Sequence, residues 1–88
     1  AILALKEDFT RRLPGLVDQL QQLQQQGDLP ALQFEAHSLK GCAGSMGYPE
    51  ITQLAAELEL CAKSAESKAC ELIIDRMQRH LSAELPTT

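Results

Sequence analysis

The fold follows from residues 5–32, which read LKEDFTRRLPGLVDQLQQLQQQGDLPAL. In the first part of this stretch, apolar residues recur at spacings of three or four, as on the buried face of an amphipathic helix. This predicted apolar stripe consists of Leu5, Phe9, Leu13, Leu16, Leu20 and Leu23. We therefore predict a helix over residues 2–26. Pro14 removes one internal hydrogen bond, so a kink or a tightened turn is expected near Gly15.

The end of the same stretch predicts a tight reversal of the chain. Gly27 can adopt the left-handed conformation that ends a helix, and Asp28 is a preferred N-cap for the next one. Pro30 is compatible with the first turn of that second helix. Because the connection is so short, the two helices are expected to be antiparallel neighbours.

The rest of the chain predicts three more helices of the same kind. We expect the second over residues 29–46, ended by Gly47, the third to open at Pro49, and the fourth to be capped by Ser64 or Ser67. Their apolar stripes are Leu29, Leu32, Ala36, Leu39, Ala43 and Met46, then Tyr48, Ile51, Leu54, Ala55, Leu58 and Ala62, then Cys70, Ile73, Ile74, Met77 and Leu81. Four helices with one apolar face each and short loops predict an all-α, antiparallel up-down-up-down four-helix bundle.

Length and composition limit any function to the surface of one small domain. The chain has 88 residues, of which 44% are apolar, and a formal net charge of −4. We assign residues 1–85 to a single domain and residues 86–88 to a tail. An acidic chain with no Trp, one Tyr and two Phe lacks the basic surface and the stacking aromatics of nucleic-acid binders. No apolar run is long enough to span a bilayer, so we expect no membrane contact by this domain.

Cysteine usage favours a reducing compartment. Cys42, Cys61 and Cys70 are odd in number and form no C-x-x-C pair, so we expect free thiols in a cytoplasmic domain. No His and Cys residues stand at ligand spacing on one helix face, and no metal site is expected. The sequence begins at Ala1 without Met, which we interpret as a fragment of a longer polypeptide. A closed four-helix core favours a monomer.

The second predicted helix contains glycines that weaken it. Gly41 and Gly44 lie in its second half and Gly47 ends it, and each internal glycine costs about 0.5–1 kcal/mol relative to alanine. At about 100° per residue, His37 and Gly41 point away from the buried stripe, by about 140° and 180°. Lys40 and Gly41 follow His37 by three and four residues and are therefore its neighbours on the helix surface. This arrangement places an exposed imidazole beside an ammonium group and bare backbone.

An exposed histidine with these neighbours suits a carrier of a transferred group. A neutral imidazole is a nucleophile at physiological pH, and its exposure lets a large partner reach it. A nearby lysine can offset the charge of a phosphoryl group. A hydrolase would need a nucleophile, a base and an orienting group that converge in a cleft, and the sequence offers no such set. We interpret the domain as a carrier without catalytic activity of its own.

Residues 36–47, AHSLKGCAGSMG, resemble the phosphorylation motif of histidine-containing phosphotransfer (HPt) domains, A-H-x-L/I-K-G-x-A-G-x-x-G. Residues 54–59, LAAELE, are similar to the L-A-x-x-L-E of the same family, and the Gly27–Asp28 turn also matches. The chain departs from the motif chiefly at Cys42, where family members often have Ser or Ala. It most resembles the C-terminal HPt modules of hybrid sensor histidine kinases. This implies that the parent polypeptide is a sensor kinase, and leaves open that it is anchored in the inner membrane.

The resemblance implies a phosphorelay. A receiver domain, phosphorylated on aspartate, would pass its phosphoryl group to Nε2 of His37, and the receiver of a response regulator would take it away. The receivers would supply Mg²⁺, so the resemblance implies no cofactor in this domain. By the same analogy, Lys40 compensates the charge of the phosphoryl group, and Gly41 and Gly44 keep the docking face flat. Glu59 would border the phosphohistidine, where we expect it to orient the imidazole through a hydrogen bond at the other nitrogen, or to point away.

Phe34 is a further candidate for the docking face. It lies one turn before His37, at about 200° from the buried stripe, and an exposed Phe beside a transfer site suits an apolar patch on which a receiver packs. The alternative is that Phe34 folds over the edge of the first helix.

Two other functions stay open. One is a structural, non-catalytic helical interaction module in which His37 is incidental. The other is a phosphoacceptor domain of the chemotaxis-kinase type, which is a direct substrate of a histidine kinase. The glycines favour a carrier over an interaction module, because an interaction helix has no reason to weaken its outer face.

Overall fold

The computed structural model of the protein describes residues 2–84, with side chains described for residues 5–83. Within these residues the chain forms four α-helices, namely α1 (Ile2–Gln26), α2 (Leu29–Met46), α3 (Pro49–Lys63) and α4 (Ser67–Glu84). Helix α1 packs against α2 and α4, and α3 packs against the same two helices. Short turns connect successive helices, and the four helices form the antiparallel four-helix bundle that the sequence predicts. The predicted tail, residues 86–88, lies outside the described residues.

The three turns share one backbone arrangement. A residue in the left-handed conformation follows each of the first three helices: Gly27 at φ 76°, Gly47 at φ 81° and Ala65 at φ 58°. In each turn the next amide donates to a carbonyl five residues earlier, as from Glu66 to Cys61 at 2.9 Å. This pattern uses carbonyl groups that would otherwise lack partners at the helix end. As predicted, Asp28 then caps α2, because its carboxylate accepts a hydrogen bond from the Ala31 amide at 3.2 Å.

The core lies between all four helices and contains no buried polar side chain among the described residues. One predicted core position in α1 is wrong: Leu5 is 60% exposed, whereas Val17, outside the predicted stripe, is buried. Val17 lies about 40° from Leu13 around the helix axis, whereas Leu5 lies about 80° from it, at the edge of the apolar face. The buried residues are Phe9, Leu13, Val17, Leu20, Leu32, Ala36, Leu39, Ala43, Ile51, Ala55, Leu58, Ala62, Cys70, Ile73, Ile74, Met77 and Leu81.

The backbone of α1 refines one local expectation, and its side chains add contacts to α4. The helix remains α-helical through Pro14 and Gly15, so of the two alternatives expected near Gly15 the tightened turn is not found, and the kink stays a prediction. The glutamine-rich end of α1 is hydrogen-bonded in part to α4. There Gln24 Nε2 donates to the Ser67 hydroxyl at 3.1 Å, and Gln78 Nε2 donates to Gln21 Oε1 at 3.1 Å. These contacts arise because the antiparallel α1 and α4 bring two polar edges together.

The α2–α3 turn, which positions the candidate site, is anchored to α1 by Tyr48. The half-buried Tyr48 ring lies 5.8 Å from the Phe9 ring, between centroids, and its hydroxyl is hydrogen-bonded to the Thr10 side chain. Lys6 Nζ lies 5.4 Å from the centre of the same ring, within the range of a cation–π contact. Tyr48 therefore holds the start of α3 against the first helix.

None of the helices in the described part of the chain combines the length and the apolar character that a membrane span requires.

Candidate functional site

His37 lies on the outer surface of α2. Its neighbours on the inner face, Ala36 and Leu39, are buried in the core, and this turns position 37 toward solvent. The imidazole side chain is 64% exposed, as the helix geometry predicts. A partner as large as a protein can therefore reach the ring.

Glu59 of α3 joins His37 and Lys40 of α2. Its Oε2 lies 2.9 Å from His37 Nδ1, and its Oε1 accepts a hydrogen bond from Lys40 Nζ at 2.9 Å. One of the two alternatives that we left open for Glu59 is therefore found: it bonds to the imidazole and does not point away. Helices α2 and α3 thus contribute to one site, which we call the His37–Lys40–Glu59 triad.

The triad determines which imidazole nitrogen is protonated. The hydrogen bond from Lys40 is the main cause that lowers the pKa of Glu59, against the opposing effect of desolvation, and the bond with His37 lowers it further. Glu59 is therefore an ionised carboxylate at neutral pH, and an ionised carboxylate can only accept hydrogen bonds. The hydrogen must then be on Nδ1 of His37. In the neutral ring this leaves a lone pair on Nε2, for which the described side chains provide no hydrogen-bond donor.

Lys40 is the cation of the site. Its side chain is 37% exposed and its ammonium group contacts Glu59, whose side chain is 21% exposed. The lysine thus balances the Glu59 carboxylate when no phosphoryl group is present. Its predicted role toward a phosphoryl group stays a prediction.

The two glycines of the predicted docking face have different surroundings. A Cβ at Gly41 would have no atom within 4 Å, so this position is open to solvent, as expected. A Cβ at Gly44 would lie 3.8 Å from the Thr52 side chain of α3, at ordinary contact distance. Gly44 is exposed but faces the neighbouring helix, whereas Gly41 leaves open space one turn beyond His37.

Two large apolar side chains are exposed on the outer surfaces of α2 and α3. Phe34 is 67% exposed, so it does not fold over the edge of α1. Leu60 of α3 is 64% exposed and directly follows Glu59. Leu60 was not predicted from the sequence, although one signal was available: it is an apolar residue outside the buried stripe of α3, beside the Glu59 that the motif singles out.

Among the described residues, the other reactive side chains form no hydrogen bond with the triad. Cys42 is exposed, whereas desolvation is the main cause that raises the pKa of Cys61 and of the buried Cys70. His80 of α4 is largely buried, with Nδ1 3.4 Å from Glu50 Oε2. Among the residues with described side chains, no three His, Cys, Asp or Glu groups lie close enough together to hold a metal ion.

Fold and site together define a small helical bundle that presents one oriented histidine on its surface. The family model described as the Hpt domain matches residues 4–85, and the chain belongs to this family. Hpt domains are phosphocarriers without catalytic activity that act in histidine phosphotransfer of two-component signalling and interact with receiver domains. Neither the curated proteins nor the solved structures gave a significant match.

Proposed function

We propose that this domain is an intermediate of a phosphorelay that carries the phosphoryl group on Nε2 of His37. The donor is a receiver domain phosphorylated on aspartate, and the acceptor is the receiver domain of a response regulator. One observation carries the proposal: an exposed imidazole is hydrogen-bonded through Nδ1 to Glu59, so Nε2 is the nitrogen with a lone pair. The match to the Hpt family supports the same assignment.

The transfer step uses the lone pair on Nε2. This nitrogen attacks the phosphorus of the aspartyl phosphate, an N–P bond forms, and the bond from phosphorus to the aspartate oxygen breaks, which releases a carboxylate. The Nδ1 proton stays in place, facing Glu59. In the reverse sense, a receiver carboxylate attacks phosphorus and the electron pair of the N–P bond returns to Nε2. Lys40, three residues from His37 on the same helix and bonded to the same carboxylate, exchanges its contact with Glu59 for one with the phosphoryl oxygens in this proposal.

The receivers provide the rest of the chemistry in this proposal. Mg²⁺ and the phosphorylated aspartate belong to the receiver, and this chain contributes the nucleophile, the group that orients it and a neighbouring cation. The parent polypeptide is a hybrid sensor kinase, by resemblance of the motif at residues 36–47.

The test is labelling by a phosphorylated receiver. Receiver domains of the source organism, phosphorylated with radiolabelled acetyl phosphate and Mg²⁺, are mixed with the wild-type chain and with His37→Gln. We expect acid-labile label on the wild type and none on His37→Gln, with unchanged helical circular dichroism. His80→Gln, which removes the other histidine of the chain, should be labelled like the wild type.

Two results would refute the proposal. One is retained label on a folded His37→Gln. The other is ³¹P and ¹⁵N NMR evidence that the phosphoryl group is on Nδ1. Labelling by a histidine kinase with ATP, but by no receiver, would assign the donor to the chemotaxis-kinase type.

A further inference from the structure

Leu60 and Phe34 are exposed on either side of the His37–Lys40–Glu59 triad. Leu60 lies about 200° from the buried Leu58 around the axis of α3, and so points away from the core. Phe34 lies about 140° from the buried Leu39 around the axis of α2, and is likewise on the outer side. Both side chains therefore face outward on the two helices that form the triad.

The position of Leu60 along the bundle axis, relative to His37, follows from the contacts between α2 and α3. Gly44 lies against Thr52, and His37 bonds to Glu59. Because the helices are antiparallel, Leu60 is within one residue, about 1.5 Å, of the level of His37. Helix axes in contact are about 8–10 Å apart, which is the distance between the helices that carry Leu60 and His37.

Phe34 lies on the other side of the imidazole. It precedes His37 by three residues, about 4.5 Å along the axis of α2. The imidazole therefore has an aromatic ring along its own helix and a leucine across the helix pair. A protein that brings a phosphorylated aspartate to Nε2 must also cover the surface around the imidazole that carries Phe34 and Leu60, since even small specific interfaces extend over several side chains.

We propose that Leu60 and Phe34 are the two apolar contacts that hold the receiver, so that it lies across α2 and α3. This inference rests on the proposed function and adds the position of the partner. Central apolar side chains that become buried in an interface contribute much of its affinity, whereas chemistry depends on the triad. Leu60 should therefore affect the binding of the receiver, with no effect on the reaction of the bound complex.

The opposite flank of α2 offers a different position for the receiver. A groove of about 190 Å³ between α1 and α2 is lined by Arg12, Glu35, Ser38 and Cys42 together with core residues. A receiver centred there would leave Leu60 exposed. The two positions therefore predict opposite effects of substitutions at Leu60 and at Arg12.

The test separates KM from kcat. Initial rates of transfer are measured against the concentration of the phosphorylated receiver that labels the wild type fastest. For Leu60→Ser and Phe34→Ser we expect KM to rise about tenfold, as for truncation of a central contact, with kcat changed less than about twofold. Leu60→Met, which keeps an apolar side chain, should restore KM. The matched control is Leu72→Ser on α4, which removes a leucine that is 55% exposed and should leave KM unchanged.

Several outcomes would overturn the inference while the proposed function stands. These are an unchanged KM for Leu60→Ser, an equal rise for Leu72→Ser, a loss in kcat alone, and a rise in KM for Arg12→Ala with none for Leu60→Ser. Loss of the proposed function itself has a separate signature, which is label on His37→Gln.

Discussion

Substitution of Gly41 by leucine should increase stability and reduce transfer at the same time. A Cβ at this position would have no atom within 4 Å, so the bundle has room for the new side chain. Leucine is a better helix former than glycine by about 0.5–1 kcal/mol in a helix interior. For a domain of this size the gain corresponds to a rise in Tm of about 2–8 °C.

The leucine side chain at position 41 would also obstruct the approach of the receiver to His37. Position 41 is one turn from His37, and residues four apart on a helix have Cβ atoms about 5–6 Å from each other. Leucine there would hold a receiver away from Nε2, and a displacement of about 1 Å can cost about 100-fold in rate. We therefore expect Gly41→Leu to transfer about 100-fold more slowly than the wild type, and Gly41→Ala to be affected less.

The assay combines thermal unfolding by circular dichroism with initial rates of phosphoryl transfer from a receiver. Gly15→Leu is the matched control, because Gly15 is also inside a helix with no atom within 4 Å of its Cβ position. It lies on α1, which contributes no side chain to the triad, so Tm should rise and transfer should be unchanged. Wild-type transfer by Gly41→Leu, an equal loss in Gly15→Leu, or a lower Tm of Gly41→Leu would each refute the reasoning.

Three further predictions concern charge and the last turn. Lys40→Ala should slow transfer by about fivefold, because a partly exposed charge contributes about 1 kcal/mol; a thousandfold loss in single-turnover kinetics would contradict this. Because the pKa of Glu59 is lowered in the folded state, its ionised form stabilises the fold above the unfolded pKa, and this contribution is lost as the pH falls below about 4.3. The melting temperature should therefore fall less steeply with decreasing pH for Glu59→Gln than for the wild type. Parallel plots of Tm against pH for the two proteins would contradict this effect. Ala65→Gly should raise Tm by about 4–8 °C, because the left-handed conformation at φ 58° costs about 1 kcal/mol for alanine; an unchanged Tm would show no strain there.

Local pattern explains why the fold could be predicted so fully. The apolar period and the turn residues Gly27, Asp28 and Gly47 place the helix boundaries, since helix formation and capping depend on neighbours within a few residues. The error at Leu5 and Val17 arose at the edge of the apolar face, where the angle alone does not decide burial. The turn at Ala65 also escaped prediction, because its left-handed residue is not a glycine.

The candidate site was predictable in its residues but not in its contacts. Sequence placed His37 and Lys40 on one outer face and pointed to Glu59, yet it allowed this carboxylate either to bond to the imidazole or to point away. Leu60 was not predicted at all, because periodicity identifies residues that face the core and does not say which exposed residues lie together. Phe34 likewise had two possible directions until its exposure was known.

The amino-acid sequence by itself determined the four helices, the turns at Gly27 and Gly47 and the exposed position of the histidine, because each depends on interactions within a few residues along the chain. Only the tertiary structure decided which imidazole nitrogen is protonated. That choice depends on a hydrogen bond between residues 22 positions apart, and it exists because α2 and α3 pack closely enough for Glu59 to reach both His37 and Lys40.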